Sequence, residues 1–283
     1  MNFTKILNGI IEVVKEASKI MMERDFSIKE KGDVSNIVTS SDIAVQSFLK
    51  ERLTSLIPGS VFLGEEGPAG SALSISAPAC TMDASSGLGV ESSEYIWVAD
   101  PIDGTANFAR NLSLSVISVA LLCNREQTIG VVYHPYLDDV YYAEKGKGAF
   151  LNGSPIHVSE RPFRSSMLCS AMSLYDKRFA KPCFEIIEKV YAEADDLRRL
   201  GTAALEMCEL AAGRVDLYFE IRLSCWDYSA ATLILKEAGG FFEIMFHDQI
   251  PFDKPAGIIA AGTESNFHRL KGIVYETVPA ELY

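Results

Sequence analysis

Six acids of this chain, Asp42, Glu65, Glu66, Asp100, Asp103 and Asp227, stand at junctions where strands end or helices begin. The densest case is WVADPIDGTANF, residues 97–108, where an apolar lead-in runs straight into Asp100 and Asp103. Ionised carboxylates at the end of a buried strand are costly unless they are protonated or answered by a cation. No Lys or Arg follows before Arg110. Hard oxygen donors in such number suit Mg²⁺, which is typically held by a few carboxylates together with substrate phosphate. Pro101 withdraws a backbone donor where sheet pairing must stop. Gly104 relaxes the chain so that the amides of Gly104 and Thr105 can point at an anion.

Taken singly, each acid also has an ordinary reading. Asp100 and Asp103 can be a turn former and a helix N-cap, and Asp227, behind Trp226, another N-cap. Asp42 falls in the first turn of a helix, where the dipole favours an acid, and Glu65-Glu66 can be a solvated loop. Spacing alone does not prove that Glu65, Asp100 and Asp227 converge. His134, His157, His247 and His268 show no paired spacing and read as structural. Gly146 to Gly148 is a turn, since it lacks the GxxxxGK[ST] pattern of a phosphate loop.

The elements that must position these residues alternate in kind. Phe3, Ile6, Leu7, Ile10, Val14, Ala17 and Met21 recur at helical spacing. The polar, turn-rich GDVSNIVTSS (32–41) follows, and Ser40 or Ser41 is expected to cap a second helix with Phe48, Leu49, Leu53 and Leu56 inward. VFLG leads into Glu65-Glu66 as a short strand. Residues 67–94, rich in Ser, Ala and Gly without Lys or Arg, read as a long surface excursion. SLSVISVALLC and TIGVVYHPYLDDVYYAEKG alternate in strand fashion across a turn at Asn124-Arg125-Glu126. Downstream come a strand at 166–171, helices at about 181–194, 202–212 and 227–237, a VDLYFE strand between the last two, and a buried GIIAAG strand. Strands first and helix–strand alternation afterwards predict a layered α/β protein with lobes at about 1–150 and 151–283.

At 283 residues the chain is long enough for a large core. Its net charge of −12 argues against nucleic-acid or anionic-membrane binding, since polyanions would be repelled. Six scattered cysteines without CxxC predict reduced thiols and a cytoplasmic setting. No signal peptide is evident, and no apolar run approaches the ~20 residues of a membrane span.

DPIDGTANF, preceded by GEE and followed by WDYSAATLILKEAGG, resembles the inositol monophosphatase family of metal-dependent, lithium-sensitive phosphatases. KGDVSNIVTSSD, KGKGAFLNGSPIHVS, GTAALEMCELAAGRVDLYFE and IPFD…GIIAAG extend the likeness over nearly the whole chain. The resemblance implies an αβαβα sandwich, a homodimer and two or three Mg²⁺. Glu65, Asp100 and the Ile102 carbonyl would hold one ion, and Asp100, Asp103 and Asp227 a second; a third is expected near Glu65. Gly104 and Thr105 would receive the phosphate, and Thr105 with Asp42 would orient and deprotonate the attacking water. Gly201, Thr202 and Ala203 would line the substrate cleft, Glu220 would accept from substrate hydroxyls, and Lys31 lies in a loop that closes over the site. Two departures stand out: Asn36 where the family often has an acid, and ARNLSLS (109–115) where it commonly shows a His-Gly-x-Pro-like stretch. The implied substrate is a small phosphate monoester, foremost myo-inositol monophosphate. Fructose 1,6-bisphosphate, a nucleotide 3′-phosphate and histidinol phosphate are the rivals within the class, and a non-catalytic binding protein the rival outside it.

Overall fold

The computed structural model describes residues 1–24, 26–33, 36–66, 93–170 and 176–279, without the side chains of residues 30–33, 36 and 37. Strand alternation sets the layering. In β4 (Tyr95–Asp103) Ile96 and Val98 enter one apolar cluster, while Trp97 and Ala99 enter another on the opposite face. A strand apolar on both faces needs cover on both. Two helices, α1 (Phe3–Glu23) and α2 (Ser40–Leu56), cover the Trp97 face with Ile10, Val14, Leu49 and Leu53.

The sheet containing β4 has seven strands in the spatial order β3 (Val61–Gly64), β4, β5 (Val116–Cys123), β6 (Glu126–His134), β7 (Asp139–Glu144), β8 (Ala149–Leu151) and β9 (Ser154–Ile156). Only β3 and β4 run parallel; the remaining neighbours are antiparallel. The Ile96 face packs on α5 (Ala203–Ala211) and α6 (Cys225–Glu237). The approach of α6 is close: a Cβ on Gly130 of β6 would meet the Ala230 carbonyl at 2.5 Å, so only glycine fits there.

Beyond those helices lies a second sheet. Its order is β11 (Asp196–Arg198), β10 (Met167–Cys169), β12 (Leu217–Leu223), β14 (Ala256–Ala261) and β13 (Phe241–Ile244). Tyr218 of β12 faces inward, whereas Leu217, Phe219 and Ile221 face outward onto α4 (Ala180–Tyr191) and α7 (Glu264–Thr277). The stack is therefore α1/α2, sheet, α5/α6, sheet, α4/α7: the αβαβα sandwich expected from the sequence.

Several local expectations change. Thr39, not Ser40 or Ser41, caps α2, and Asp42 reaches back from the third helical position to complete a capping box. The turn-rich 32–41 stretch contributes to a hairpin, β1 (Ile28–Asp33) against β2 (Asn36–Thr39). Strand β4 does not stop at Ala99 but continues through Asp103. Helix α7 is unannounced by the sequence reading, because its first turn is polar and its buried face reduces to Phe267, Leu270, Ile273 and Val274. Gly239, with φ +91°, follows the end of α6, its left-handed conformation being cheap only without a Cβ. Cys169, Cys183, Cys208 and Cys225 are buried free thiols and Cys123 is half-buried, while Cys80 and nearly all of the 67–94 excursion fall outside the described residues. No helix among the described residues is long and apolar enough to cross a membrane.

Candidate active site

Parallel pairing of β3 and β4 sets Gly64 beside Ala99, so the residues that follow, Glu65 and Asp100, leave the same end of two neighbouring strands. Beyond that point β4 bulges between Asp100 and Asp103 before pairing resumes opposite Val116. The bulge closes on itself, since the Ile102 amide donates to Asp100 Oδ1 at 2.9 Å. Bulges re-aim side chains, and here Asp103 is turned toward α5, where its Oδ2 accepts from the Ala204 amide at 2.7 Å. Gln46 of α2 braces the neighbouring strand end by accepting from the Glu66 amide (2.8 Å) and donating to the Glu66 carbonyl.

Asp42 arrives from the other side. The Thr39 amide donates to its Oδ2 at 2.8 Å, and the Thr105 hydroxyl lies 3.2 Å from its Oδ1 and 3.0 Å from the Ile102 carbonyl. Asp227 sits at the third position of α6, not at its N-cap, which is Ser224; the Ser224 amide donates to Asp227 Oδ2 at 2.7 Å. Capping and site roles are therefore compatible, because each carboxylate oxygen can accept more than one partner. Glu220 is buried on β12 and accepts from the Tyr218 hydroxyl at 3.1 Å.

These acids feel one another. Asp100 is 2% exposed, and desolvation, followed by the charges of Glu65, Asp103, Asp227 and Asp42, drives its carboxyl well above the usual range. Asp103, 8% exposed, is raised by desolvation and then by Asp227, against the lowering pull of the Ala204 amide. Among the described residues no three His, Cys, Asp or Glu side chains already form a cage that could hold an ion as they stand. The donor set nonetheless fits a hard divalent cation: it is all oxygen, with Asp100 and Asp103 buried and Glu65 and Asp227 half-buried, and it is loaded with like charge that a cation would relieve.

The substrate-side residues assemble around a short helix, α3 (Thr105–Ala109), whose N-cap is Gly104 rather than Asp103. Gly201, Thr202 and Ala203 precede and open α5, but the Thr202 side chain is buried and its hydroxyl donates to the Leu114 carbonyl. Its contribution here is to fix the turn. Asn107, which the motif gave no role, links the same parts: its Nδ2 donates to the carbonyls of Leu114 and Leu200, both at 2.8 Å. A polar side chain two residues after Thr105 on a five-residue helix was the available signal. The side chain of Lys31 lies outside the described residues, and Arg110 is exposed. Among the histidines, His134 is buried and 3.1 Å from the Ser113 carbonyl, consistent with a structural part.

Gly104 is a tight position of the site with no room for a side chain. Its φ is +87°, and a Cβ there would stand 2.5 Å from Thr202 Oγ1 and 2.9 Å from the Leu114 carbonyl. Gly104→Ala is expected to cost about 1–3 kcal/mol of stability from the left-handed backbone alone, with a further loss from the clash. Thermal unfolding checks this; an unshifted Tm would contradict the geometry.

Comparison with known proteins decides what this arrangement belongs to. The model of the inositol monophosphatase family matches residues 2–277. The chain belongs to that family. An inositol monophosphatase from Dictyostelium discoideum is 36% identical over 243 residues, covering 83% of this chain and 82% of the relative. The extragenic suppressor protein suhB from Bartonella henselae superposes with a TM-score of 0.82 at 26% identity, covering 97% of this chain and all of that one. The Thermotoga maritima IMPase superposes at 0.78 with 28% identity, over 96% and 97% of the two chains. As a member of the inositol monophosphatase family the protein is a phosphoric monoester hydrolase, in a family that is generally metal-dependent.

Proposed function

We propose that this inositol monophosphatase-family enzyme hydrolyses myo-inositol monophosphate to inositol and phosphate, with Mg²⁺ as the metal. The observation that carries the reading is the buried acid locus beside a hydroxyl: Asp100 and Asp103 at the β4 bulge, with Thr105 3.2 Å from Asp42 Oδ1. Glu65, Asp100, the Ile102 carbonyl, Asp103 and Asp227 would hold the metal. Mg²⁺, when bound, would offset the acids' charge, polarise the phosphoryl group and make water a better nucleophile at neutral pH.

The chain's own groups do the rest. An uncharged hydroxyl is a poor base alone, but Thr105 donating to Asp42 keeps a lone pair for the attacking water, and Asp42 takes up the proton. The first-turn amides of α3 have no acceptor within the helix, so those of Gly104 and Thr105 suit the phosphate. Holding water and phosphate in line is where most of the rate enhancement arises. Glu220, held by the Tyr218 hydroxyl, would accept from hydroxyls of the leaving group.

A carboxylate reads an inositol or a sugar ring alike, so fructose 1,6-bisphosphate belongs in the test. Phosphate release is measured with Mg²⁺ over inositol 1-phosphate, fructose 1,6-bisphosphate, a nucleoside 3′-phosphate and histidinol phosphate. Inositol 1-phosphate is expected to lead in kcat/KM. A higher value for fructose 1,6-bisphosphate would reassign the substrate, and no hydrolysis of any ester would overturn the enzymatic reading.

A further inference from the structure

One buried carboxylate near the site has no part in the chemistry above. Glu206, one turn into α5, is fully buried, and its Oε1 accepts from two successive amides, Leu200 at 2.6 Å and Gly201 at 2.9 Å. Its other oxygen, Oε2, is buried and meets no strong donor among the described residues; the neighbouring polar group is the weakly donating Cys169 thiol, which faces the carboxyl and is itself pushed up by burial and then by this carboxylate. Burial pushes the carboxyl up to about 7 against the lowering pull of those two amides. A buried acid with a spare oxygen is a poor choice if stability were its only purpose, since an apolar side chain of similar size avoids the desolvation cost.

What Glu206 holds is the turn that carries Gly201, Thr202 and Ala203. Gly201 there has φ +78°, a conformation open to glycine but costly to any residue with a Cβ, so the turn is a defined one. The same turn is also tied elsewhere: Asn107 Nδ2 of α3 donates to its Leu200 carbonyl, and its Thr202 Oγ1 donates to the Leu114 carbonyl. Glu206 therefore grips two amides of a turn whose Leu200 carbonyl is tied to the helix carrying Thr105. Further along, in the first turn of α5, the Ala204 amide donates to Asp103. Turn, α3 and the acid locus form one hydrogen-bonded assembly.

We infer that Glu206 is the positioning residue that sets residues 200–202 against α3, and thereby determines how the enzyme discriminates among leaving groups. The inference rests on the proposed function only in taking residues 201–203 as the leaving-group wall. It predicts that the acceptor oxygen, and not the negative charge, is what the turn requires. Glu206→Gln keeps an oxygen at the same reach; Glu206→Leu fills the volume and offers none.

Both variants are assayed with the best ester of the panel and with p-nitrophenyl phosphate, which carries no polyol, at saturating Mg²⁺. Glu206→Leu should lower kcat/KM for the polyol ester about tenfold or more, mainly through KM, with a much smaller loss on p-nitrophenyl phosphate, as expected when two buried amides lose their acceptor near only one end of the substrate. Glu206→Gln should stay within about threefold on both, because the acceptor remains. Equal losses on the two esters, or a Gln variant as impaired as the Leu variant, would overturn the positioning role. Amide hydrogen exchange supplies a readout that needs neither activity nor a folded Leu variant. In the wild-type protein the Leu200 and Gly201 amides should be as protected as the interior of α5, and Glu206→Gln should preserve this. Unprotected amides would sink the inference even if the enzyme is active; protected amides in a protein that hydrolyses nothing would leave the positioning of the turn standing, while the proposed function and the leaving-group role built on it both fail.

Discussion

Asp103→Asn is expected to lower kcat/KM by at least about 10³-fold, roughly the several kcal/mol that a metal clamp supplies, while leaving the fold intact. The two halves of that expectation have separate causes. Asp103 Oδ2 accepts from the Ala204 amide at 2.7 Å, and an asparagine carbonyl can accept the same bond, so the tie to α5 survives. The charge does not survive. Asp103 is 8% exposed and its carboxyl is raised by desolvation and by Asp227, so its ionised form is held in place at a cost that only a bound cation recovers. Removing the charge removes that binding energy, and it also relieves the repulsion. In chelator the variant should accordingly unfold at the same temperature as the wild type or higher. Steady-state kinetics and thermal unfolding in EDTA test both halves, and a variant of wild-type activity would refute the ligand role of Asp103.

The second large effect concerns metal removal and pH. Asp100 and Asp103 both have carboxyls raised above their unfolded values. Below the unfolded value both states are protonated and the groups cost nothing. As pH rises from there through the folded value, the unfolded chain releases its protons first, and stability is lost, at up to about 1.4 kcal/mol per pH unit for each group. Glu206, pushed up to about 7, acts in the same direction between the ordinary glutamate value of 4.5 and 7. In EDTA the Tm should therefore fall by several degrees as pH rises from 4.5 to about 7, the interval the Glu206 shift spans and in which the raised Asp100 and Asp103 act in the same direction, given the ~2–4 °C per kcal/mol typical of chains near this size. Saturating Mg²⁺ should raise Tm and flatten most of this slope, since a ligand at 100 times its Kd adds about 2.7 kcal/mol to the native state. Only the share of Glu206, which holds amides rather than metal, should persist. A metal-free Tm that climbs over that pH range would mean that the acids are not the buried, mutually repelling set described here.

Much of the frame was legible along the chain. The spacing from Phe3 to Met21 marked α1, and the alternation in VISVALL and TIGVVYH marked the central strands. The doubling of apolar residues along YIWVA implied cover on both faces, which α1/α2 and α5/α6 provide. Helix α7 escaped because a polar first turn and a sparse apolar face look like a solvated segment until the outer face of β12 and β14 is there to receive them. The cap of α2 was misplaced by one residue for a local reason: Thr39, Ser40 and Ser41 all carry hydroxyls, and only Asp42 reaching back to Thr39 selects among them.

The site divides along the same line. Residue types and order alone determined that this chain carries hard oxygen donors at element ends, a glycine able to adopt the left-handed conformation before Thr105, and motifs sufficient for the family. What tertiary structure decided is proximity. β3 beside β4 brings Glu65 level with Asp100, the bulge after Asp100 turns Asp103 onto the α5 amide, and the hairpin before α2 sets Asp42 within reach of Thr105, 63 residues away. Asn107 had no legible role for the same reason, since it acts on the Leu200 carbonyl 93 residues off; Glu206 acts on an amide six residues back, through a bond that exists only once the turn before α5 has folded over it. Side-chain chemistry is a property of the residue, and so is written in the chain. Which amide a carboxylate meets, and how many other carboxylates it must tolerate, is a property of the packing.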